Sequence, residues 1–282
     1  MDLSIVIPAY NEAHKIARDV AAAGEFLCGH RLSGEVIIAD DGSADGTAQA
    51  ARRSPLSPGV ELCVLELPHR GKGSAVRAGI LASRGRFVMF ADSGLCVPFE
   101  DALPAIRMLQ SGRADIVNGS RKLPESVIAR PQSWYRRLLS RAFRFAVRLY
   151  MGLPRGFSDT QCGFKVYRGE VAREIYGRCA TDGFMFDLEV LLRAVARQYR
   201  VAEVPVHWTC DPDSRLRPAK IFFRTFGELR DVKRQVAEEL AAAEAILSGA
   251  AVSPSARFSA LRSHSRLGEG RGEGSPSIKS PG

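Results

Sequence analysis

The chain has 282 residues, a formal net charge of +9, and 45% hydrophobic against 25% charged residues. These values predict a globular protein with a sizeable core, organised as one large domain or two small ones. The six cysteines are scattered and form no C-x-x-C pair, which argues against zinc knuckles and compact disulfide frameworks. The basic excess favours an anionic partner: a phosphate, a nucleic acid or an acidic membrane surface.

The cysteine pattern predicts reduced thiols in a cytoplasmic protein. The chain opens Met-Asp-Leu-Ser and enters an apolar run at once, without the basic region of a signal peptide. It also contains no run of about 18 apolar residues, so we expect no helix that spans a membrane.

The first 120 residues alternate between short apolar runs and segments of helical periodicity. The predicted strands cover residues 3–7, 35–39, 60–65, 86–91 and 114–118. The predicted helices between them cover residues 12–28, 45–53, 71–83 and 99–110. This alternation predicts an α/β fold, with a mostly parallel, Rossmann-like sheet, helices on both faces, and ligands beyond the carboxyl ends of the strands.

The second half predicts a basic helix at 134–151, a strand at 164–167, a helix at 186–198, a strand at 201–206 and a long helix at 220–247. The residues from Ser248 onward are rich in Ser, Gly, Arg and Pro, and their few apolar side chains do not offset the entropy of ordering. We therefore predict a disordered tail over residues 248–282.

The first motif, I-P-A-Y-N-E at residues 7–12, follows the first strand directly. Tyr10 is placed to contact a base or ribose there, with Asn11 and Glu12 as hydrogen-bonding groups. The same pattern fits a turn in which Asn11 caps the next helix.

The second motif follows the second strand and contains Asp40, Asp41, Gly42 and Ser43. A carboxylate at a strand end can accept hydrogen bonds from ribose hydroxyls or a uracil N–H, and glycine allows a close backbone approach. The alternative is a capped turn, with Ser43 or Asp45 capping the next helix.

The third motif, residues 69–79, places glycines at the start of a helix. Free backbone N–H groups at Gly71 and Gly73 can meet a phosphate, and Lys72 adds charge. The spacing is neither that of a Walker A loop nor that of a dinucleotide fingerprint, and a plain helix start explains it equally well.

Two further patterns supply carboxylates. Asp92 follows the fourth strand and can bind a metal if diphosphate oxygens and water complete the coordination. The segments 159–165 (D-T-Q-C-G-F-K) and 184–189 (F-M-F-D-L-E) follow later. Asp187 and Glu189 straddle a helix start, where capping and charge–dipole stabilisation are the alternative to function.

The predicted helix at 134–151 carries an arginine stripe, formed by Arg137, Arg141, Arg144 and Arg148, opposite an aromatic-rich apolar face. Trp134, Tyr135 and Tyr150 stand near its ends. This pattern favours a helix lying in a membrane interface over an ordinary packed surface helix. A nucleic-acid module is not expected, because no basic surface is interleaved with aromatic residues.

Taken together and in this order, the motifs resemble those of glycosyltransferase family 2. The match covers residues 7–12, D-D-G-S at 40–43, G-K-G at 71–73, G-S-R at 119–121, 159–165, F-D-x-E at 186–189 and V-P-V-x-W at 204–208. The later motifs look like those of dolichyl-phosphate β-glucosyltransferases and bacterial polyprenyl-phosphate glycosyltransferases.

The resemblance implies one GT-A domain, with a nucleotide-sugar-binding half at 1–122 and an acceptor-side half at 123–247. It implies an inverting transfer of glucose or a related sugar from a nucleotide sugar, UDP-glucose above all, to a polyprenyl or dolichyl phosphate. The implied donor-binding residues are Pro8, Ala9, Tyr10, Glu12, Asp40, Asp41, Lys72, Gly73 and Asp92. The implied catalytic residues are Arg121, Asp159 and Gln161, and the implied acceptor-binding residues are Arg121, Asp187, Glu189 and Arg217.

Two departures qualify this resemblance. The family expects a second Asp in a D-x-D motif, and Gly94 stands there. Binding of the Mg²⁺ or Mn²⁺ ion expected at Asp92 is therefore weaker, completed by another group, or lost. The membrane anchor of some relatives has no counterpart, so we expect peripheral attachment to the cytoplasmic membrane face through helix 134–151. Alternatives are a non-catalytic nucleotide-sugar-binding protein, or a transferase acting on a different lipid or on a soluble hydroxyl.

Overall fold

The computed structural model describes residues 1–129, 156–209, 227, 230–239 and 241. The basic helix predicted at 134–151, the tail predicted at 248–282, and Arg217 lie outside these residues. The described residues up to 209 belong to one compact unit, Met1–Lys233.

The described chain alternates strands and helices as the periodicity predicts. The strands are β1 (Leu3–Ala9), β2 (Gly34–Asp40), β3 (Glu61–Glu66), β4 (Phe87–Ala91), β5 (Ile116–Ser120), β6 (Val127–Ile128), β7 (Phe164–Arg168), β8 (Val201–Pro205) and β9 (His207–Trp208). The helices are α1 (Ile16–Gly29), α2 (Thr47–Arg52), α3 (Lys72–Ala82), α4 (Ala102–Gln110), α5 (Gly169–Tyr176) and α6 (Phe186–Ala196). A single 3₁₀ turn, Phe99–Asp101, precedes α4.

Seven strands form one sheet in the order β3-β2-β1-β4-β7-β5-β8, and β6 pairs with β9 separately. All neighbours in the large sheet are parallel except β7, which runs antiparallel to both β4 and β5. The predicted mostly parallel sheet is confirmed. Because β7 is reversed, it begins at the edge where β4 and β5 end.

Helices cover both faces of the sheet. Along β1, Ile5 and Ile7 belong to the apolar layer under α1 and α4, and Val6 belongs to the layer under α3, α5 and α6. This follows from the period of two along a strand, which sends alternate side chains to opposite faces. Strands buried on both faces read as continuous apolar runs, which is why the sequence shows no polar alternation in them.

The first strand and helix differ from their predicted limits. β1 continues through Pro8 to Ala9 and buries both residues, whereas the prediction ended it at Ile7. β1 pairs with β4 only as far as Val6, whereas it pairs with β2 through Ala9. The missing N–H of Pro8 therefore interrupts no hydrogen bonds between β1 and β4. α1 starts at Ile16 instead of residue 12, after a turn held by side chains from the β2 loop.

Two simpler expectations concern cysteines and membrane spans. The five cysteines in the described part of the chain, Cys28, Cys63, Cys96, Cys162 and Cys179, are free thiols. Of the helices that the structure describes, none is both long and apolar enough to cross a bilayer.

Asp115 ties three strands together at the opposite edge of the sheet. Its carboxylate accepts hydrogen bonds from Arg200 Nε at 2.9 Å and Nη2 at 2.8 Å, and from Arg168 Nη1 at 3.3 Å. The hydrogen bonds from Arg200 lower the pKa of Asp115 to about 2, with burial acting in the opposite direction. Asp115 stands just before β5, Arg168 ends β7 and Arg200 precedes β8, so one charge joins these three strands.

Asp115→Asn is expected to lower the free energy of unfolding by about 1 kcal/mol at pH 7, a value limited by the solvent exposure of Arg200. The folded-state pKa lies below the unfolded value, so this stabilisation is present above about pH 4 and is lost as the pH falls towards 2. Urea unfolding at pH 7 and pH 2.5 measures the difference. Glu170→Gln, which changes an exposed partner of Arg168, is the matched control, and an equal loss at both pH values would contradict the prediction.

Candidate active site

The candidate site lies at the edge of the sheet where β1, β2, β4 and β5 end and β7 begins. In open α/β sheets, ligands bind beyond the carboxyl ends of the strands. The reversed direction of β7 brings the D-T-Q-C-G-F segment to this same edge, although it lies some 70 residues after β4 in sequence.

Lys72 and Asp92 form the centre of this edge. Lys72 is the first residue of α3, and its Nζ lies 2.6 Å from Oδ1 of Asp92, which follows β4. Burial by itself lowers the pKa of Lys72, but Asp92 and Asp187 outweigh it and hold this pKa above its ordinary value. Lys72 is therefore a stable cation, suited to a diphosphate.

Asp92 is positioned by the loop before β7. Its backbone N–H donates to the carbonyl oxygen of Gly163 at 2.9 Å. A Cβ atom built at Gly163 would lie 2.0 Å from Oδ2 of Asp92, so any side chain at position 163 would displace the carboxylate. Gly163 in the D-T-Q-C-G-F motif therefore leaves the space that the carboxylate of Asp92 occupies.

A carboxylate from α1 holds the turn after β4. Asp19 accepts hydrogen bonds from Ser93 Oγ at 2.7 Å and from the Gly94 N–H at 2.8 Å. Burial raises the pKa of Asp19, and the two hydrogen bonds oppose this effect. Gly94 and Leu95 have φ values of +98° and +50°, so the turn is left-handed where a D-x-D motif would place its second acid.

A divalent cation would have few protein ligands here. The residues that the structure describes contain no cluster of three His, Cys, Asp or Glu side chains able to hold an ion. Oδ1 of Asp92 is buried and contacts the Lys72 ammonium at 2.6 Å. A carboxylate is a hard oxygen ligand, and it fits a Mg²⁺-type ion that takes its remaining ligands from diphosphate oxygens and water.

The backbone at the start of α3 is covered by the loop at 180–183. The Ser74 N–H donates to the carbonyl oxygen of Asp182 at 3.2 Å. A Cβ at Gly71, which has φ +127°, would lie 2.6 Å from that same oxygen, and a Cβ at Gly73 would lie 2.5 Å from the carbonyl oxygen of Thr181. These glycines therefore permit close packing of two backbones, and the Gly71 N–H donates to the Asp41 carboxylate.

Arg121 and Asp159 form a second charged pair. Arg121 donates from Nε to Oδ2 at 2.6 Å and from Nη2 to Oδ1 at 2.9 Å, so both carboxylate oxygens are engaged. Asp159 is only 1% exposed. Burial alone raises the pKa of Asp159, but the hydrogen bonds and charge of Arg121 outweigh it and hold the pKa below its ordinary value. Asp159 is therefore an ionised support behind a partly exposed guanidinium.

Neighbouring groups fix this second pair. Glu203 accepts hydrogen bonds from the N–H groups of Ser158 and Asp159, which secures the loop that carries the carboxylate. The guanidinium of Arg121 also lies over the ring of Trp208, 5.4 Å from its centroid. The carbonyl oxygen of Gln161 accepts from Arg121 Nη2 at 3.3 Å, which links this pair to the Gly163 loop.

An aromatic stack stands at the other end of the edge. The rings of Tyr10 and His69 lie 4.2 Å apart at an interplanar angle of 15°, and both are exposed. Asp41 holds the histidine through Nδ1 at 2.8 Å and also accepts from the N–H groups of Arg70 and Gly71. Asp41 is thus engaged with the loop before α3, while Tyr10 and His69 present a flat surface.

Hydrogen bonds join the segment at residues 7–12 to the loop that follows β2. Asp40 accepts hydrogen bonds from the N–H and hydroxyl of Ser43 through one oxygen. The Asn11 N–H donates to Ser43 Oγ at 2.8 Å, and the Glu12 N–H donates to Thr47 Oγ1 at 2.8 Å. Asn11 caps no helix, because α1 begins four residues later than predicted and Asn11 instead adopts a left-handed φ of +55°.

Asp187 and Glu189 lie beneath the site instead of at its surface. Asp187 is buried against Lys165, with Nζ to Oδ1 at 2.7 Å, and burial raises its pKa against the effect of that lysine. Glu189 is fully buried and accepts from Arg193 Nε and from the Thr181 N–H. Both support neighbouring loops, and their contact with an acceptor stays a prediction.

The structure thus brings part of the predicted set together. Lys72 contacts Asp92, and Arg121 contacts Asp159 and the carbonyl oxygen of Gln161. The two groups are joined through the Gly163 loop, whose carbonyl accepts the Asp92 N–H. The donor-side residues Pro8, Ala9, Tyr10, Glu12, Asp40 and Asp41 lie beyond β1 and β2 at that edge. The functional roles of all of them stay predictions.

Three residues near the site were missed from the sequence. Asp19 interrupts the apolar face of α1, which is a recognisable signal for a buried charge. His69 carries no such signal, because its stacking on Tyr10 depends on two loops meeting. Lys165 stands between Phe164 and Val166 in β7. Its ammonium lies 5.8 Å from the centroid of the Phe90 ring, and that of Lys72 lies 5.4 Å from it.

Comparison with known sequences gives a consistent result. Residues 4–176 match the profile of glycosyl transferase family 2. The chain is 34% identical over 227 residues to a dolichyl-phosphate beta-glucosyltransferase of Dictyostelium discoideum, and the match covers 77% of this chain and 69% of that protein. It is 35% identical to the protein of the same name from Drosophila melanogaster, over 77% of this chain and 70% of the relative.

Comparison with solved structures shows the fold. A mannosyl-3-phosphoglycerate synthase from Rubrobacter xylanophilus superposes with a TM-score of 0.58 at 16% identity, over 85% of this chain and 75% of that one. A glucosyl-3-phosphoglycerate synthase from Mycobacterium tuberculosis, solved with Mn²⁺, UDP-glucose and phosphoglyceric acid, superposes with a TM-score of 0.54 at 21% identity, over 89% and 81% of the two chains.

The sheet order, the edge at which the charged pairs gather and the sequence match over most of the chain lead to one assignment. The expected resemblance and the GT-A fold are confirmed. The chain belongs to glycosyltransferase family 2 and is a glycosyltransferase.

Proposed function

We propose that this enzyme transfers glucose from UDP-glucose to a polyprenyl or dolichyl phosphate, with inversion at the anomeric carbon. The observation that carries the proposal is the engagement of Asp159. A hydroxyl acceptor needs a base, and the candidate base has both oxygens bound to Arg121 and a lowered pKa. A phosphate acceptor is already an anion and needs a cation to receive it. The relatives named dolichyl-phosphate beta-glucosyltransferases support the same acceptor class.

The donor nucleotide binds beyond β1 and β2. The exposed faces of Tyr10 and His69 contact the base, and Asp40 accepts from the ribose or the base N–H. Asp41 contributes indirectly, because it holds His69 and the start of the α3 loop. Glu12 closes this end of the site and is paired with Lys15 at 2.8 Å.

The donor diphosphate binds at Lys72 and Asp92. Lys72 neutralises charge that develops on the departing diphosphate, which is electrostatic stabilisation by a preorganised cation. Asp92 would hold a Mg²⁺ or Mn²⁺ ion, and a bound ion would add Lewis-acid stabilisation of the same oxygens. The solved structural neighbour with Mn²⁺ and UDP-glucose supports this role for a cation.

The acceptor phosphate binds at Arg121, beside Gln161. One of its oxygens forms a bond to the anomeric carbon while the bond to the diphosphate oxygen breaks, and UDP leaves with the electron pair. A single displacement of this kind inverts the configuration. Asp159 acts as a positioning residue that keeps Arg121 charged and oriented.

The lipid character of this acceptor implies work at a membrane surface. The arginine-rich helix predicted at 134–151 supplies a basic, aromatic-bordered face for peripheral attachment on the cytoplasmic side. Arg217, a further predicted acceptor ligand, has the charge to assist at the phosphate. These two elements lie outside the described residues and enter here from sequence alone.

The direct test is a donor panel of UDP-glucose, UDP-GlcNAc and GDP-mannose against undecaprenyl phosphate and dolichyl phosphate, with product mass measured. We expect a prenyl-phosphate hexose from UDP-glucose. Lys72→Met should lower kcat by about 100-fold or more, because one cation at the leaving group is lost. Arg70→Met removes a neighbouring charge and is the matched control.

Two outcomes would contradict the proposal. Release of UDP only in the presence of a soluble hydroxyl compound would assign a different acceptor. Binding of UDP-glucose without turnover on any acceptor would mark a non-catalytic nucleotide-sugar-binding protein, for which Gly94 is the motivating departure.

A divalent cation held by one carboxylate should bind weakly. We expect EDTA to lower the rate and Mn²⁺ or Mg²⁺ to restore it. Asp92→Asn should raise the Mn²⁺ concentration needed for half-maximal rate by at least roughly tenfold. A rate unchanged by EDTA, with an unchanged Mn²⁺ response in the variant, would remove the ion from the mechanism.

Gly163→Ala should disable the enzyme without unfolding it, because the new methyl group displaces the carboxylate of Asp92. We expect kcat to fall by roughly 100-fold, in line with misplacement of a catalytic group by about 1 Å. Gly156→Ala is the matched control, since a Cβ there meets no atom of the described residues within 4 Å. Thermal unfolding and kcat are measured for both, and full turnover by Gly163→Ala would refute this packing constraint.

A further inference from the structure

Phe184 is an exposed aromatic residue in a segment that otherwise turns inward. Its side chain is 41% exposed, whereas the next two residues, Met185 and Phe186, are buried in the core. A single exposed apolar side chain is ordinary on a protein surface. Phe184 differs from such a residue because its loop is rigid and lies close to the candidate site.

The loop that carries Phe184 is fixed from several sides. The carbonyl oxygen of Asp182 accepts the Ser74 N–H at 3.2 Å, and its carboxylate pairs with Arg77 Nη2 at 2.5 Å. The buried carboxylate of Glu189 accepts the Thr181 N–H at 2.8 Å. The phenyl ring is therefore presented by a preorganised backbone, as a binding surface requires.

This loop also lies between the two charged pairs. On one side of Phe184, the carbonyl oxygen of Gly183 would stand 2.8 Å from a Cβ built at Gly73, next to the lysine of the diphosphate site. On the other side, Met185 Sδ lies 3.7 Å from Nε2 of Gln161, in the loop that meets the acceptor-side arginine. Phe184 thus stands in the chain between a residue that packs on the start of α3 and a residue that contacts Gln161.

We propose that Phe184 forms the apolar wall of the sugar subsite and packs its ring against the C–H face of the donor hexose. This inference rests on the proposed function, in which the transferred sugar lies between the donor diphosphate and the acceptor phosphate. The other groups around that interval, Lys72, Asp92, Arg121 and Gln161, are polar and suit hydroxyl or phosphate oxygens. A pyranose ring also has an apolar face, and an aromatic ring buries it well.

The test compares UDP with UDP-glucose by calorimetry on the full chain with Mn²⁺ present. Phe184→Ala should leave the Kd of UDP unchanged and weaken UDP-glucose by about 5- to 10-fold, because only the sugar contact is lost. Phe184→Trp should retain the wild-type preference. Leu81→Ala is the matched control, since Leu81 is 45% exposed near the far end of α3.

Three results would overturn the inference. Unchanged UDP-glucose affinity in Phe184→Ala would exclude a sugar contact. Unchanged donor affinity with a raised KM for the prenyl phosphate would assign the ring to the acceptor chain instead. An equal loss of UDP and UDP-glucose would indicate a disturbed loop. Failure of the wild-type chain to bind UDP at all would instead strike the proposed function itself, and the sugar subsite would fall with it.

Discussion

The site depends on the absence of a side chain at position 163. The loop after β4 and the loop before β7 approach so closely that the carboxylate of Asp92 occupies the space where a Cβ of residue 163 would stand. This contact is possible because β7 runs antiparallel between β4 and β5 and therefore begins where they end. Without it, the lysine–aspartate pair and the arginine–aspartate pair would lack a common scaffold.

The charges of the site are balanced before any ligand arrives. Lys72 is paired with Asp92 and Lys165 with Asp187. Arg121 is paired with Asp159. The Lys165–Asp187 pair is buried, so removal of either partner would leave an uncompensated charge that is strongly destabilising. A phosphate that bound at Lys72 or Arg121 would therefore join or replace a carboxylate contact that already exists. The gain in attraction would be smaller than for a cation without a carboxylate partner.

Much of this arrangement follows from local patterns in the sequence. The alternation of apolar runs and helical segments specifies a parallel sheet, and the rule for its carboxyl edge brings Lys72 and Asp92 together. These local patterns do not show which loops pack on one another. The burial of Glu189, the covering of the α3 start by Asp182, and the stack of His69 on a tyrosine all depend on contacts between distant segments. The same limitation explains why the sequence leaves a ligand and a structural support as open alternatives for a carboxylate near a helix start.

The reversed strand has an evolutionary consequence. The connection from Ser120 to Phe164 leaves the sheet and returns to it at one and the same edge, since β5 ends and β7 begins there. Lengthening such a connection adds only a slowly growing closure entropy and moves no strand. Evolution can therefore lengthen or exchange that segment while β5 and β7 keep their places in the sheet.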